Sequence, residues 1–129
     1  MKKVIYISLI IGLIIILLFN NQKEDKIIIN HVSMEEALVL MEENSDYIIL
    51  DVRTKEEYNE GHIPKSISIP NETIDKRVTQ QLPNKDQMIF IYCYSGKRSK
   101  QAALKLKKLG YTNLIDLGGI INWQGEIVK

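Results

Sequence analysis

MIFIYCYSGKRS, Met88 to Ser99, decides the fold. Its first six residues are apolar without alternation, the pattern of a strand covered on both faces, and such strands belong to parallel sheets packed between helices. A glycine-containing loop follows, and then Ser99 to Leu109 places Ala102, Ala103, Leu106 and Leu109 on one face, with Lys100, Lys105, Lys107 and Lys108 outside it. That is an amphipathic helix, stopped by Gly110 in the usual left-handed position. Strand, loop and helix make a βα unit with Cys93 at the hinge.

The same alternation extends in both directions. YIILDV, Tyr47 to Val52, is a second continuous apolar strand, and Ile27 to Asn30, SISIP (Ser66 to Pro70) and NLIDL (Asn113 to Leu117) are shorter ones. Ser33 and Glu36 form a capping box, in which hydroxyl and carboxylate each satisfy a free amide of a first turn. The spacing predicts a helix from there to about Glu43, with Ala37, Leu38 and Met41 inward. Thr54 and Glu57 repeat the box before a short helix ending at Gly61, and Asn71 starts a helix reaching about Leu82, before Pro83. Gly118 and Gly119 lead into a closing segment with Trp123, which reads as core. Strands alternating with helices predict one α/β domain, a parallel five-stranded sheet with helices on both faces, over residues 27–129.

The chain opens with Lys2 and Lys3 and then runs from Val4 to Phe19, sixteen residues broken only by Tyr6, Ser8 and Gly12. As a helix this run is about 24 Å long, short of a hydrocarbon core of about 30 Å unless the lysines snorkel. It ends in Leu-Leu-Phe-Asn-Asn-Gln, without the small residues of a cleavage site, so residues 1–21 read as an uncleaved membrane anchor; the alternative is a signal segment, with secretion after cleavage. Basic residues ahead of the run leave the N-terminus cytoplasmic and the domain on the extracytoplasmic side. Residues 22–26 are polar and read as a linker.

Charge excludes one class of partner. The whole chain carries 17 basic and 16 acidic side chains. Without Lys2 and Lys3 the rest holds 15 against 16, a net charge of −1, so there is no basic field for nucleic acid. One cysteine and two separated histidines give no metal ligand set, and no cofactor motif is present.

A lone cysteine is most simply a small buried hydrophobe. The neighbours of Cys93 argue otherwise. The helix after it begins near Ser99, so the thiol sits over free backbone amides and the positive end of a helix dipole, an environment that lowers a thiol's pKa. Gly96 permits the curvature of an anion nest, and Lys97 and Arg98 bring positive charge. Tyr94 reads as a wall residue. Arg98 either binds an oxyanion or braces the loop, and Lys97 reads as solvated.

CYSGKRS (Cys93 to Ser99), LDVRTKEEYNEGHIPKSISIP (Leu50 to Pro70) and LIDLGGIINW (Leu114 to Trp123) together resemble a single-domain rhodanese, a sulfurtransferase, over the chain from about Ile28 onward. The resemblance implies that Cys93 takes a sulfane sulfur from a donor such as thiosulfate or a persulfide, and passes it to cyanide or to a thiol, including that of a thiol protein. It implies that Tyr94, Ser95, Gly96, Lys97 and Arg98 form the cradle and that Ser99 caps the helix. It places Asp51 and Arg53 beside the crevice as a supporting pair, with Glu57 or Glu60 as other partners for Arg53, and His62 and Pro64 in a turn. Two rival readings stand beside it. A cysteine phosphatase or arsenate reductase needs a loop one residue longer between cysteine and arginine, and a rhodanese-like binding module at the membrane needs no turnover at all.

Overall fold

The computed structural model describes residues 1–20 and 29–129. The expected linker, 22–26, lies outside the described residues, as does the start of the strand expected from Ile27. Five parallel strands form the sheet: β1 (Asn30–His31), β2 (Tyr47–Asp51), β3 (Ile67–Ser68), β4 (Met88–Cys93) and β5 (Leu114–Gly119). Their spatial order is β1-β5-β4-β2-β3. The two most apolar strands, β4 and β2, therefore lie side by side in the interior, paired from Tyr47 against Met88 to Asp51 against Tyr92.

The helices are α1 (Lys2–Asn20), α2 (Met34–Glu43), α3 (Lys55–Glu60), α4 (Val78–Gln81) and α5 (Lys97–Lys108), with 3-10 turns at Asn71–Thr73 and Ile120–Asn122. Burial separates two cores, one on each face of the sheet. Leu50, Val52, Ile89, Ile91 and Cys93 pack with Val78 of α4 and with Ala102, Ala103 and Leu106 of α5. Ile49, Phe90, Tyr92, Ile115 and Leu117 pack against Ala37 of α2, with Leu40, Met41 and Trp123 partly covered beside them. The alternation of side chains along β4 thus feeds both layers, which is why its sequence shows no polar position.

Both capping boxes form. Ser33 and Glu36 start α2, and Thr54 and Glu57 start α3. Several element boundaries differ from the sequence reading. The first strand is Asn30–His31, and the strand expected over Ser66 to Pro70 shrinks to two residues on the sheet edge. The helix expected from Asn71 to Leu82 divides, because the Asp75 carboxylate accepts the Arg77 amide at 2.8 Å and closes a turn there. Strand β5 runs on through Gly118 and Gly119, with a register irregularity opposite Ile91 and Tyr92 that leaves Leu117 without a partner in β4.

Helix α1 exposes apolar side chains from Val4 to Leu17. Among the described residues, however, no helix is long and apolar enough to cross a membrane. The expected spanning anchor is therefore not supported: the apolar run Val4 to Phe19 covers about 24 Å of helix against a hydrocarbon core of about 30 Å.

Candidate active site

Strand β4 delivers Cys93 to the carboxyl edge of the sheet, the edge at which open parallel α/β sheets bind ligands. The chain then turns within three residues into α5. Gly96 makes that turn with φ +110°, a left-handed conformation that side chains resist, and serves as the N-cap. The Gly96 amide donates to Cys93 Sγ at 3.0 Å. The first intrahelical bond of α5 runs from the Lys100 amide to the Gly96 carbonyl at 3.4 Å, so the amides of Lys97, Arg98 and Ser99 stand ahead of the helical ladder. The residue types at this corner therefore place one sulfur at the positive end of a 12-residue helix.

Ser99 is not the cap. The helix starts two residues earlier, at Lys97, and Ser99 Oγ donates to the Gly96 carbonyl at 3.0 Å, fastening the turn from inside. Tyr94, Ser95 and Lys97 are exposed, while Gly96 and Ser99 are buried. Cys93 itself is 1% exposed and shares its core with Leu50, Val52, Ala102 and Ala103. The sulfur thus has apolar walls and an amide lid.

Of the two readings of Arg98, the structure shows the bracing one. Its guanidinium donates to Glu57 through Nη1 at 2.7 Å and Nη2 at 3.0 Å, joining the cysteine loop to the start of α3. The Arg98 hydrogen bonds hold the Glu57 carboxyl down at about 2, against the smaller opposing effect of burial. The same bonds to Glu57 hold the Arg98 guanidinium charged above its ordinary range. Glu57 is accordingly not a partner of Arg53.

Arg53 is instead held by Asp51. Its Nε reaches both Asp51 oxygens at 3.1 Å, and its Nη2 donates to Asp51 Oδ2 and to the Gly61 carbonyl, each at 2.7 Å. Both residues are buried, and the guanidinium lies 5.6 Å from the centroid of the Tyr92 ring. The Tyr92 hydroxyl accepts the Ile63 amide at 3.1 Å and lies 3.2 Å from Ser66 Oγ. Burial pushes its pKa well above the ordinary tyrosine value. Asp51 and Arg53 are thus scaffold that fixes the loop after β2. His62 stacks on Tyr58 with centroids 3.7 Å apart, and its Nδ1 meets the Tyr58 carbonyl at 2.9 Å, as suits a turn histidine.

Sequence reasoning missed the function of Gly119. A Cβ there would overlap the Tyr94 carbonyl oxygen and lie 2.7 Å from Ser95 Cα, so the end of β5 is the surface on which the cysteine loop rests. The glycine pair was visible, but nothing local showed what packs against it. A cavity of about 1050 Å³ reaches the other parts of this loop, between Ser95–Lys97, His31, Leu38 and Trp123, and does not include Cys93. What sets the cysteine corner apart is its sulfur–amide geometry, not its size.

Comparison with known proteins agrees with this arrangement. The chain is 35% identical over 96 residues to a sulfurtransferase of Allochromatium vinosum, covering 74% of this chain and 88% of that one. It is 34% identical over 71 residues to the thiosulfate sulfurtransferase PspE of Escherichia coli (strain K12), covering 55% and 68%. Other relatives are longer: the chain spans 52% of YrkF of Bacillus subtilis (strain 168) and 25% of the adenylyltransferase and sulfurtransferase uba4 of Ogataea parapolymorpha. Among solved structures, a rhodanese with anions from E. coli superposes with a TM-score of 0.60 at 31% identity, over 64% of this chain and 98% of that one. The family model for the rhodanese-like domain matches residues 33–126, nearly the whole of the sheet and its helices, and the chain belongs to that family.

Proposed function

We propose that the domain is a sulfurtransferase in which Cys93 carries a sulfane sulfur from a donor such as thiosulfate to a thiophilic acceptor, cyanide or the thiol of a small molecule or protein. One observation carries the reading: the Gly96 amide donates to Cys93 Sγ at the start of α5. The Cys93 thiolate attacks the outer sulfur of the donor, and the donor's S–S bond breaks with its electron pair on the leaving sulfite. The persulfide's outer sulfur then carries the charge, and the loop amides stabilise it without a separate acid or base. The acceptor removes that sulfur and returns the thiolate. Tyr94, Ser95, Gly96, Lys97 and Arg98 supply the cradle, Ser99 fastens it, and Asp51 and Arg53 support it.

A second reading, a binding module without turnover, draws on the near-complete burial of Cys93. Phosphatase or arsenate chemistry is disfavoured, because the Arg98 guanidinium that would clamp a tetrahedral oxyanion is spent on Glu57. The full chain incubated with thiosulfate and cyanide should form thiocyanate, and intact mass after thiosulfate alone should rise by one sulfur atom; Cys93→Ser should show neither. Equal thiocyanate from both proteins, with no mass gain, would establish the binding module instead. We further propose that residues 4–19 anchor the chain in a membrane with the domain on the extracytoplasmic side, Lys2 and Lys3 snorkelling to make up the length the apolar run lacks. The support is the exposed apolar surface of α1 and the two lysines ahead of it.

A further inference from the structure

Resting on the sulfur-transfer reading, we infer that Glu57 sets the charge of the donor this site accepts, favouring a singly charged organic persulfide over doubly charged thiosulfate. Arg98 is the cation that shares the loop with the sulfur, five positions along the chain, and both of its outer nitrogens are committed to the Glu57 carboxylate at 2.7 and 3.0 Å. A forked pair of this kind leaves no net charge to offer an incoming anion. The other loop cation, Lys97, is exposed, and its ammonium is left in water. Glu72, exposed on the 3-10 turn after β3, adds a further carboxylate whose field reaches Arg98, as does that of Cys93.

Glu57 cannot easily swing aside. It is the third residue of α3, its amide donates to Thr54 Oγ1 at 3.2 Å, and its Oε1 accepts the Thr54 amide at 3.3 Å as well as Arg98 Nη1. With its carboxyl held at about 2, mainly by Arg98, it keeps its charge throughout the neutral range. Stabilisation of the incoming donor therefore falls to the amides of Gly96 to Ser99. These dipoles suit one added negative charge; a second finds no free cation, because Glu57 neutralises Arg98, and it meets the carboxylate of Glu72.

The two donors differ in charge and leaving group. Thiosulfate brings two negative charges to the thiolate: the Cys93 S–S bond forms, the donor S–S bond breaks, and sulfite dianion departs. An alkyl persulfide anion brings one charge, forms the same bond on Cys93 and releases an alkyl thiolate. Charge and electrons balance in both, and the bound product is the same persulfide.

The test compares thiosulfate with 2-hydroxyethyl persulfide as donors and cyanide as acceptor, using the full chain, Glu57→Gln and Cys93→Ser. Glutamine keeps the capping-box acceptor and removes the charge. Glu57→Gln should raise kcat/KM for thiosulfate about fivefold relative to the persulfide, the effect of one charge on one extra charge across a partly hydrated gap. In the native chain the thiosulfate rate should rise with ionic strength more steeply than the persulfide rate, since salt relieves repulsion between like charges. The Cys93 thiolate repels a dianion more than a monoanion in any case, so the deciding quantity is the change between proteins: Glu57→Gln should narrow the difference between the two slopes, and Arg98→Gln, which leaves the Glu57 charge uncompensated, should widen it and lower the thiosulfate-to-persulfide ratio. A donor ratio and salt slopes unchanged in both variants, while Cys93→Ser is inactive, would overturn the role of Glu57 and leave sulfur transfer standing. Turnover that persists in Cys93→Ser would overturn the transfer reading itself.

Discussion

At the scale of single residues, the cysteine corner depends as much on what is missing as on what is present. Gly119 has no side chain, and the carbonyl of Tyr94 and the backbone of Ser95 occupy the space a Cβ would need. These are backbone contacts, so no rotamer change can relieve them. Gly119→Ala should therefore push the loop off its seat, lowering stability by about 1–3 kcal/mol, as overpacking does. It should also weaken sulfur transfer by more than the stability loss explains, because the Gly96 amide moves relative to the sulfur. Thermal melting and thiocyanate formation, measured on the same preparation, check both; a variant with native melting and native turnover would show that the loop does not rest on this strand.

At the scale of elements, short pieces are held by their ends. Helix α3 has six residues, too few to be stable through its own hydrogen bonds, and no residue of it is fully buried. Its capping box does the work that core packing does elsewhere, and the same box fixes the carboxylate that pins Arg98. Thr54→Ala removes the hydroxyl that accepts the Glu57 amide and should cost about 1 kcal/mol, read as a lower denaturant midpoint at unchanged slope. An unchanged midpoint would mean that the Arg98–Glu57 pair alone anchors the helix. Helix α5 is different: Ser99, Ala102, Ala103 and Leu106 bury one face of it, Lys97, Lys100 and Lys108 face solvent, and Lys105, expected outside the buried face, donates its Nζ to the Asn71 carbonyl at 2.7 Å and to Asn71 Oδ1 at 3.1 Å.

At the scale of the whole molecule, the two hydrophobic cores draw, among the described residues, on none before Ile29. The domain's cohesion therefore does not depend on α1, whose apolar side chains from Val4 to Leu17 are exposed. Removing residues 1–26 should leave the melting temperature of the remainder unchanged and move the protein from the membrane fraction to the soluble one. With the full chain, protease added to intact cells should degrade the domain. Soluble behaviour of the full chain would overturn the membrane assignment, and full protection from protease would overturn the orientation.

What the sequence determined by itself is local. Continuous apolar runs at Tyr47–Val52 and Met88–Cys93, two capping boxes and the helix after Gly96 depend on neighbours within a few positions, so their physics is written in consecutive residues. The same holds for the sulfur over a helix start, since strand, turn and helix are contiguous. Edge elements were less legible: β3 is two residues long, and although Ile74, Val78 and Leu82 are buried, a single carboxylate–amide contact at Asp75 was enough to divide the helix expected after Asn71. What only the tertiary structure decided are pairings between distant residues. Arg98 pairs with Glu57, forty-one positions away, and Gly119 meets Tyr94 and Ser95 across a strand pair. Such choices follow from the order β1-β5-β4-β2-β3, which brings non-consecutive strands side by side, and no consecutive run of residues carries that information.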